Sequence, residues 1–563
     1  MNKAQGRRKK KKTKKNHKIK DVSKGRNNQL QIVLNQAISA HKSGKLDEAI
    51  LLYKKVLELQ PDNSIALSNL SFALQMQGKL DEAKICCLRA IAIKPDYVEA
   101  HFNLGNIFKA QGRFDDAIAS FSQAISINPN YIEAQYNIGV ALHEQGKLSE
   151  AVAVYQKVAS FNPNFAELHN SLGSILQEQQ KLDQAAASYK HAISLKPDYV
   201  EAYSNLGYVL TDLGKFTEAV NAVQKAISIK PDFAVAHNNL GYIMEKQDRL
   251  DAAAASYQQA INIKPDYAEA LCNLGVVFEE QGKFDEAVDS LKKAISINPD
   301  YAVAYNNLGA IVKDMGRFSE AITFYQKAIS VNADYAIAYN NLSLVQLLIG
   351  DLQNGWKNYN WRWQNEQYDV ERFLIHKEKL WQGESLHGKR LLVWAEQGVG
   401  ENIIFSSMIP DLIKRGGETV LECNERLVGL FSRSFPSITT IPHPEQLIVG
   451  EHDSEYDFIV PFGNLCQWLR PDIPSYKPQP GNLIADHKLK QTFRNRYLKE
   501  NKSLLVGISW YSKSSFYKNK SMTLFDLLPL LEIPGVTFVN LQYGDTQKER
   551  VHFTKETGIN IID

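Results

Sequence analysis

The sequence predicts an α-solenoid of stacked helix pairs followed by a parallel α/β region. Three observations carry this reading. Glycines recur on a 34-residue grid at Gly44, Gly78, Gly112, Gly146, Gly214, Gly282, Gly316 and Gly350. Prolines recur on a second grid of the same period, from Pro61 and Pro95 to Pro265 and Pro299. After Lys389 the period disappears, and short apolar runs alternate with helical patterns.

A fixed period of this length indicates repeats that stack on their neighbours, because one helix pair cannot bury its own apolar face. Ten units are expected over residues 30–369, with Gln180 and Asp248 filling the two grid positions that lack glycine. Glycine suits the left-handed residue that ends the first helix of a pair. The following Lys-Leu/Phe-Asp-Glu-Ala pattern places carboxylates in the first turn of the second helix, where the helix dipole favours them. Alanines at 49, 83, 117, 151, 185, 219, 253, 287 and 321 let the two helices approach closely. Proline then opens the next repeat, because it cannot continue a helix.

The Leu-Gly pair, the alanines and the proline recur without insertion, and in this the array resembles the tetratricopeptide repeat family. A further regularity lies at the sixth position of each first helix, which is Asn35, Asn69, Asn103, Asn137, Asn205, Asn239, Asn273, Asn307 or Asn341, with Ser171 as the exception. Asparagine is a poor helix former, so its recurrence in mid-helix calls for a role. A carboxamide offers both donors and an acceptor and matches the alternating groups of an extended peptide backbone. Bonds between neighbouring helices are the alternative use. The ladder is similar to that of the protein O-linked N-acetylglucosamine transferases, and the resemblance implies a polypeptide ligand in a concave groove, held by Asn69, Asn103, Asn137, Asn205, Asn239, Asn273, Asn307 and Asn341.

Residues 1–29 are expected to be a disordered basic tail. Residues 1–26 hold thirteen Lys and Arg against one acid, Asp21, which makes this segment +12 and the remainder −9. Such a segment suits contact with nucleic acid, a ribosome or an anionic surface. No aromatic residue interleaves with the charges, and a solvated tail is the preferred reading. The tenth unit degenerates into Gly355-Trp356 and Trp361-Arg362-Trp363, an aromatic cap before a linker at 370–388.

Strands are expected at 391–395, 419–423, 456–460, 504–510 and 536–541, with helices at 403–414, 424–434 and 524–531. The pattern reads as a Rossmann-like lobe at 389–503 and the start of a second lobe at 504–563. The first strand runs into Glu396-Gln-Gly398-Val-Gly400-Glu401-Asn402, a strand-to-helix turn whose glycines let backbone amides face a ligand. The third glycine of a dinucleotide fingerprint is absent, so no cofactor is expected.

Trp381-Gln-Gly383, Glu396-Gln-Gly-Val-Gly400, Ile409-Pro410 and Val506-Gly-Ile-Ser-Trp510 resemble the heptosyltransferase-like glycosyltransferases, which have the GT-B fold. That resemblance implies a nucleotide-sugar site. Glu401 stands where the family has an aspartate base, with Gly398, Gly400 and Asn402 beside it and Ser512, Lys513 and Lys520 toward donor phosphates. The second lobe is expected to be incomplete, either as a fragment of an enzyme or as a degraded transferase kept for binding. Three functions follow as alternatives: a polypeptide-binding module, an active glycosyltransferase, and a structural scaffold.

No apolar run approaches the ~20 residues of a membrane-spanning helix. The five cysteines lack metal-ligand spacing, and no metal site is expected. Together these features point to a reducing, cytoplasmic setting.

Overall fold

The computed structural model describes residues 28–364, 373, 376–396, 398–443, 455–476, 481–497, 504–509, 522–542 and 545–562. The basic tail up to residue 27 lies outside the described residues. The chain divides into two compact units between Pro299 and Asp300.

The first unit is a run of paired helices. It opens with a helix over residues 28–42, paired with Leu46–Leu59. Each later pair joins a 13-residue first helix to a 14-residue second helix, as in Ala234–Lys246 with Leu250–Ile263. Sequence dictates the turn between them. Gly44, Gly78, Gly112, Gly146, Gly214 and Gly282 all have φ between 71° and 75°. Gln180 and Asp248 occupy the same turn and are held at φ 58° and 59°. The repeat imposes a left-handed backbone on side chains that disfavour it. Replacing Gln180 by Gly should therefore raise stability by ~1 kcal/mol, read as a shift in the urea midpoint. No shift would mean that the turn relaxes at that site.

The glycine of each Leu-Gly pair has a different cause. A Cβ on Gly241 would lie 2.6 Å from the Tyr257 ring, and one on Gly105 would lie 2.5 Å from Phe121. Hydrogen in place of a methyl group lets the second helix seat a bulky side chain directly on the first helix, a large ring in most repeats but Val223 against Gly207 and Leu291 against Gly275. Tyr155, Tyr189 and Tyr257 are buried there with Phe121. In the second pair the partners are Ser71 and Cys87, joined Sγ to Oγ at 3.0 Å. Successive first helices also touch one another, as Val200–Asp212 does Ala234–Lys246.

The second unit begins with two more pairs, Ala302–Asp314 with Phe318–Val331 and Ala336–Leu348 with the shorter Leu352–Tyr359. A 3-10 turn, Asn360–Gln364, leads on toward the strands. These are β1 (Arg390–Trp394), β2 (Glu418–Cys423), β3 (Thr439–Pro442) and β4 (Phe458–Pro461), all parallel in the order β3-β2-β1-β4. Two further strands, β5 (Leu504–Ile508) and β6 (Val536–Asn540), pair in parallel.

Alternation along β1 divides its side chains between two cores. Leu391 and Val393 pack with Met408, Ile409, Leu427 and Phe431 from the helices, while Leu392 and Trp394 pack with Trp363 and Tyr456. One face of the sheet is thus covered by the segment that ends the helix pairs. Both faces are closed, as a parallel sheet requires.

Several details differ from the sequence reading. The helix expected over 524–531 shortens to Leu528–Leu531, and the helices His487–Tyr497 and Gln547–Thr557 were not anticipated. The helix expected over 403–414 is broken into Val399–Phe405, a 3-10 turn at Ser406–Met408, and Ile409–Ile413. Strand β3 was not anticipated, because its four residues are exposed or half-buried and carry no clear apolar signal.

Candidate functional site

The ladder residues lie on one face of the first helices. Positions 2, 5, 6, 9, 12 and 13 of a 13-residue helix fall within about a third of its circumference. Most ladder asparagines are half-buried, Asn239 is buried and Asn35 is exposed.

Their amide nitrogens reach the fifth position of the preceding repeat. Asn103 Nδ2 donates to Ser68 O at 3.3 Å and to Ser68 Oγ at 3.1 Å. Asn205 donates to Asn170 Oδ1 at 3.2 Å, and Asn273 to Asn238 Oδ1 at 3.1 Å. Asn239 donates to Ser204 O and Oγ at 3.1 and 3.0 Å. In the second unit Asn341 donates to Asn306 Oδ1 at 2.9 Å, and Asn306 to Asn307 Oδ1 at 3.3 Å.

Where the preceding fifth position is Phe102, the pattern fails. Asn137 turns back to Glu133 O at 2.8 Å, and its oxygen accepts from Lys109 Nζ at 2.6 Å. Ser171, the one departure from asparagine, meets Tyr136 Oη at 2.8 Å. Asn69 lies near the Tyr53 hydroxyl, where its amide partly offsets the burial that raises the phenol's pKa. The sequence reading missed the fifth-position partners. Their signal was the run of small polar residues Ser68, Asn170, Ser204, Asn238 and Asn306, each directly preceding a ladder position, which is Ser171 after Asn170 and asparagine after the other four. In the Asn103, Asn205, Asn239, Asn273 and Asn341 bonds only the nitrogen is engaged. The oxygen, which is the group a peptide N–H needs, is not used in them.

The second candidate lies in the second unit, where the strand order reverses between β1 and β4. Ligands of open parallel sheets bind beyond the carboxyl ends of strands at such a point. Gly398 caps the helix Val399–Phe405 with φ −48°, and an added Cβ on Gly398 or Gly400 would meet nothing within 4 Å. Asn402 is buried and donates to Gly398 O at 2.9 Å, so its amide nitrogen steadies the turn.

Glu401 is exposed, yet its carboxyl titrates above the ordinary 4.5. Lost hydration is the main cause, followed by the negative charge of Glu396, with Arg362 opposing both. The sign has a measurable consequence. A folded-state pKa above the unfolded value means that stability falls as pH rises through that interval. Glu401→Gln should thus be more stable than the parent at neutral pH, with the difference vanishing below pH 4.5. Thermal melts across this range that show the variant less stable at neutral pH would contradict the assignment.

Beneath this turn lies a buried ion pair. Arg362 Nη2 meets Glu396 Oε1 at 2.8 Å and Oε2 at 2.9 Å, and Arg362 Nε meets Oε2 at 3.0 Å. Arg362 also donates to Tyr359 O and to Asn464 Oδ1, while Gly463 N donates to Glu396 Oε1 at 2.7 Å. Ser512, Lys513 and Lys520 lie outside the described residues. Among the described residues no cluster of three or more metal-ligating side chains occurs, and no helix is long and apolar enough to cross a membrane.

Comparison with known proteins bears on the helix pairs. Residues 40–104 and 105–146 match models of the tetratricopeptide repeat. Residues 130–338 match the model of the cilia and flagella-associated protein 70 C-terminal domain. Protein FlbA of Caulobacter vibrioides is 30% identical over 233 residues, which are 39% of this chain and 39% of that protein. The matched stretch thus spans well under half of that relative. Among solved structures, a tetratricopeptide repeat protein from Parabacteroides merdae is 18% identical, covering 44% of this chain and 98% of its own with TM-score 0.39. MamA is 28% identical, covering 29% and 96% with TM-score 0.26. The chain carries tetratricopeptide repeats.

Proposed function

We propose that the chain is a protein-interaction module whose first-helix face holds an extended polypeptide by its main chain. The observation that carries this reading is the ladder's division of labour. The amide nitrogen of Asn205, Asn239 and Asn273 fixes the spacing of neighbouring helices, while the carboxamide oxygen is not engaged by those bonds. A row of acceptors at one-repeat intervals recognises backbone N–H groups with little regard for side chains. Main-chain bonding of this kind is a recurring source of peptide affinity.

Peptides selected against the full chain from a random library supply the test. Methylating alternate backbone nitrogens of a selected peptide removes the donors and should abolish binding. Equal binding of the methylated peptide would overturn the reading.

A second reading, sugar transfer from a nucleotide donor, is favoured by the raised Glu401 carboxyl beside the open Gly398–Gly400 turn. A carboxylate of raised pKa suits deprotonation of an acceptor hydroxyl. Nucleoside diphosphate release from a panel of nucleotide sugars that is lost in Glu401→Gln would establish it. Absence of release would leave the binding module alone.

A further inference from the structure

The first-helix face changes character along the first unit. In the helices Ser64–Met76 and Val98–Ala110, the six face positions of each hold one acid and one base between them. Ile65, Phe72 and Met76 stand exposed there at 48%, 41% and 59%. In the next five first helices, from Ile132–Glu144 to Ala268–Glu280, the same positions hold ten carboxylates against a single lysine, Lys246. Glu201, Asp212, Glu245 and Glu280 are among them, while Glu167 is paired with Lys196 Nζ at 3.1 Å and Glu178 with His143 Nε2 at 2.7 Å.

These carboxylates are interleaved with groups suited to a polypeptide. Tyr208 and Tyr242 stack at 4.9 Å and 12°, and Tyr242 Oη donates to Asp212 Oδ1 at 2.8 Å. Tyr257 Oη donates to Glu245 Oε2 at 2.8 Å. Both hydroxyls thereby steady acids on the face, and the stacked rings offer an apolar track for long aliphatic stems. Asn205, Asn239 and Asn273 run through the same stretch. The crowding of like charge is visible at Glu280, whose carboxyl is raised by lost hydration and by Glu245 and Asp248, with Lys246 opposing. A cationic ligand would relieve that repulsion.

We propose that the face between residues 132 and 280 takes an extended, lysine- and arginine-rich segment of another protein. The ladder holds its main chain, and the carboxylates select its side chains. This inference rests on the polypeptide-binding reading above and adds the chemistry of the partner. Complementary charge of this kind raises association rates and rejects acidic competitors.

Fluorescence polarisation on the full chain tests it, with labelled peptides of alternating lysine and serine, asparagine and serine, and glutamate and serine. The lysine peptide should bind about ten-fold or more tighter than the asparagine peptide, and the glutamate peptide should not bind. Raising salt from about 50 to about 300 mM should weaken the lysine peptide selectively. The variant Glu201→Gln/Asp212→Asn/Glu245→Gln/Glu280→Gln, checked by circular dichroism, should bring the lysine peptide down to the asparagine peptide. If that variant misfolds, the salt titration of the unaltered chain decides.

Equal affinity for lysine and asparagine peptides would overturn the basic partner while leaving polypeptide binding intact. Failure of all three peptides would overturn the basic partner, while the library selection decides polypeptide binding separately. A peptide of residues 1–26 that binds about ten-fold tighter than the lysine–serine peptide would make the chain's own tail the occupant and overturn the proposal.

Discussion

Glu396→Gln is expected to lower the stability of the second unit by ~3–5 kcal/mol, because it leaves the Arg362 guanidinium buried without its counter-charge. The Arg362 side chain is 0% exposed and that of Glu396 only 4%. The cation also lies over the Tyr359 and Trp363 rings, at 4.0 and 4.4 Å from their centroids. Those rings supplement the carboxylate without replacing it, since a buried cation with a neutral amide partner keeps most of its desolvation penalty.

All seven tryptophans lie after residue 300, so their fluorescence follows the second unit while far-UV circular dichroism is dominated by the helix pairs. The fluorescence midpoint in urea should fall sharply, with a smaller change in the dichroism transition. The double variant Arg362→Met/Glu396→Leu should recover much of the loss, because a well-packed apolar pair costs less than an orphaned charge. An unchanged fluorescence midpoint in Glu396→Gln would show that water reaches the pair.

The ladder carries the second large effect. Asn205→Ala/Asn239→Ala/Asn273→Ala should weaken binding of a library-selected peptide by ~0.5–1.5 kcal/mol per lost contact, a total of roughly ten-fold to a thousand-fold. The same variant removes inter-helix bonds, so stability should fall as well. The control is Asn170→Ala/Ser204→Ala/Asn238→Ala, which removes side-chain acceptors of those bonds and keeps the ladder carboxamides. It should lose comparable stability and much less binding. Equal loss of binding in the two variants would mean that the asparagines only space the helices.

The two effects differ in how far they could be foreseen. Asparagine recurring at 34-residue intervals was visible without coordinates, and so was the demand for a role. The partner was not, because the amide of Asn239 bonds to Ser204, 35 residues earlier. That choice depends on how closely two first helices stack. Asn137 has the same residue type at the same position, yet it turns to its own helix because Phe102 offers it no side-chain acceptor. Arg362 belongs to the aromatic cap and Glu396 to the strand-to-helix turn, and nothing in either segment announces the other.

The sequence by itself determined the period and the left-handed turns, since these follow from backbone sterics within one repeat. It held Gln180 and Asp248 to a conformation that their own chemistry opposes, because the surrounding repeats leave the turn no other geometry. It also indicated the stretches that became β1, β2, β4, β5 and β6, whose compact apolar runs are local signals. Only the tertiary structure decided the order β3-β2-β1-β4, the closing of the sheet's second face by Trp363, and the burial of Arg362 against Glu396. Those outcomes depend on which elements stack. A buried charge finds its partner through the geometry of several packed elements, and no window of sequence contains that geometry.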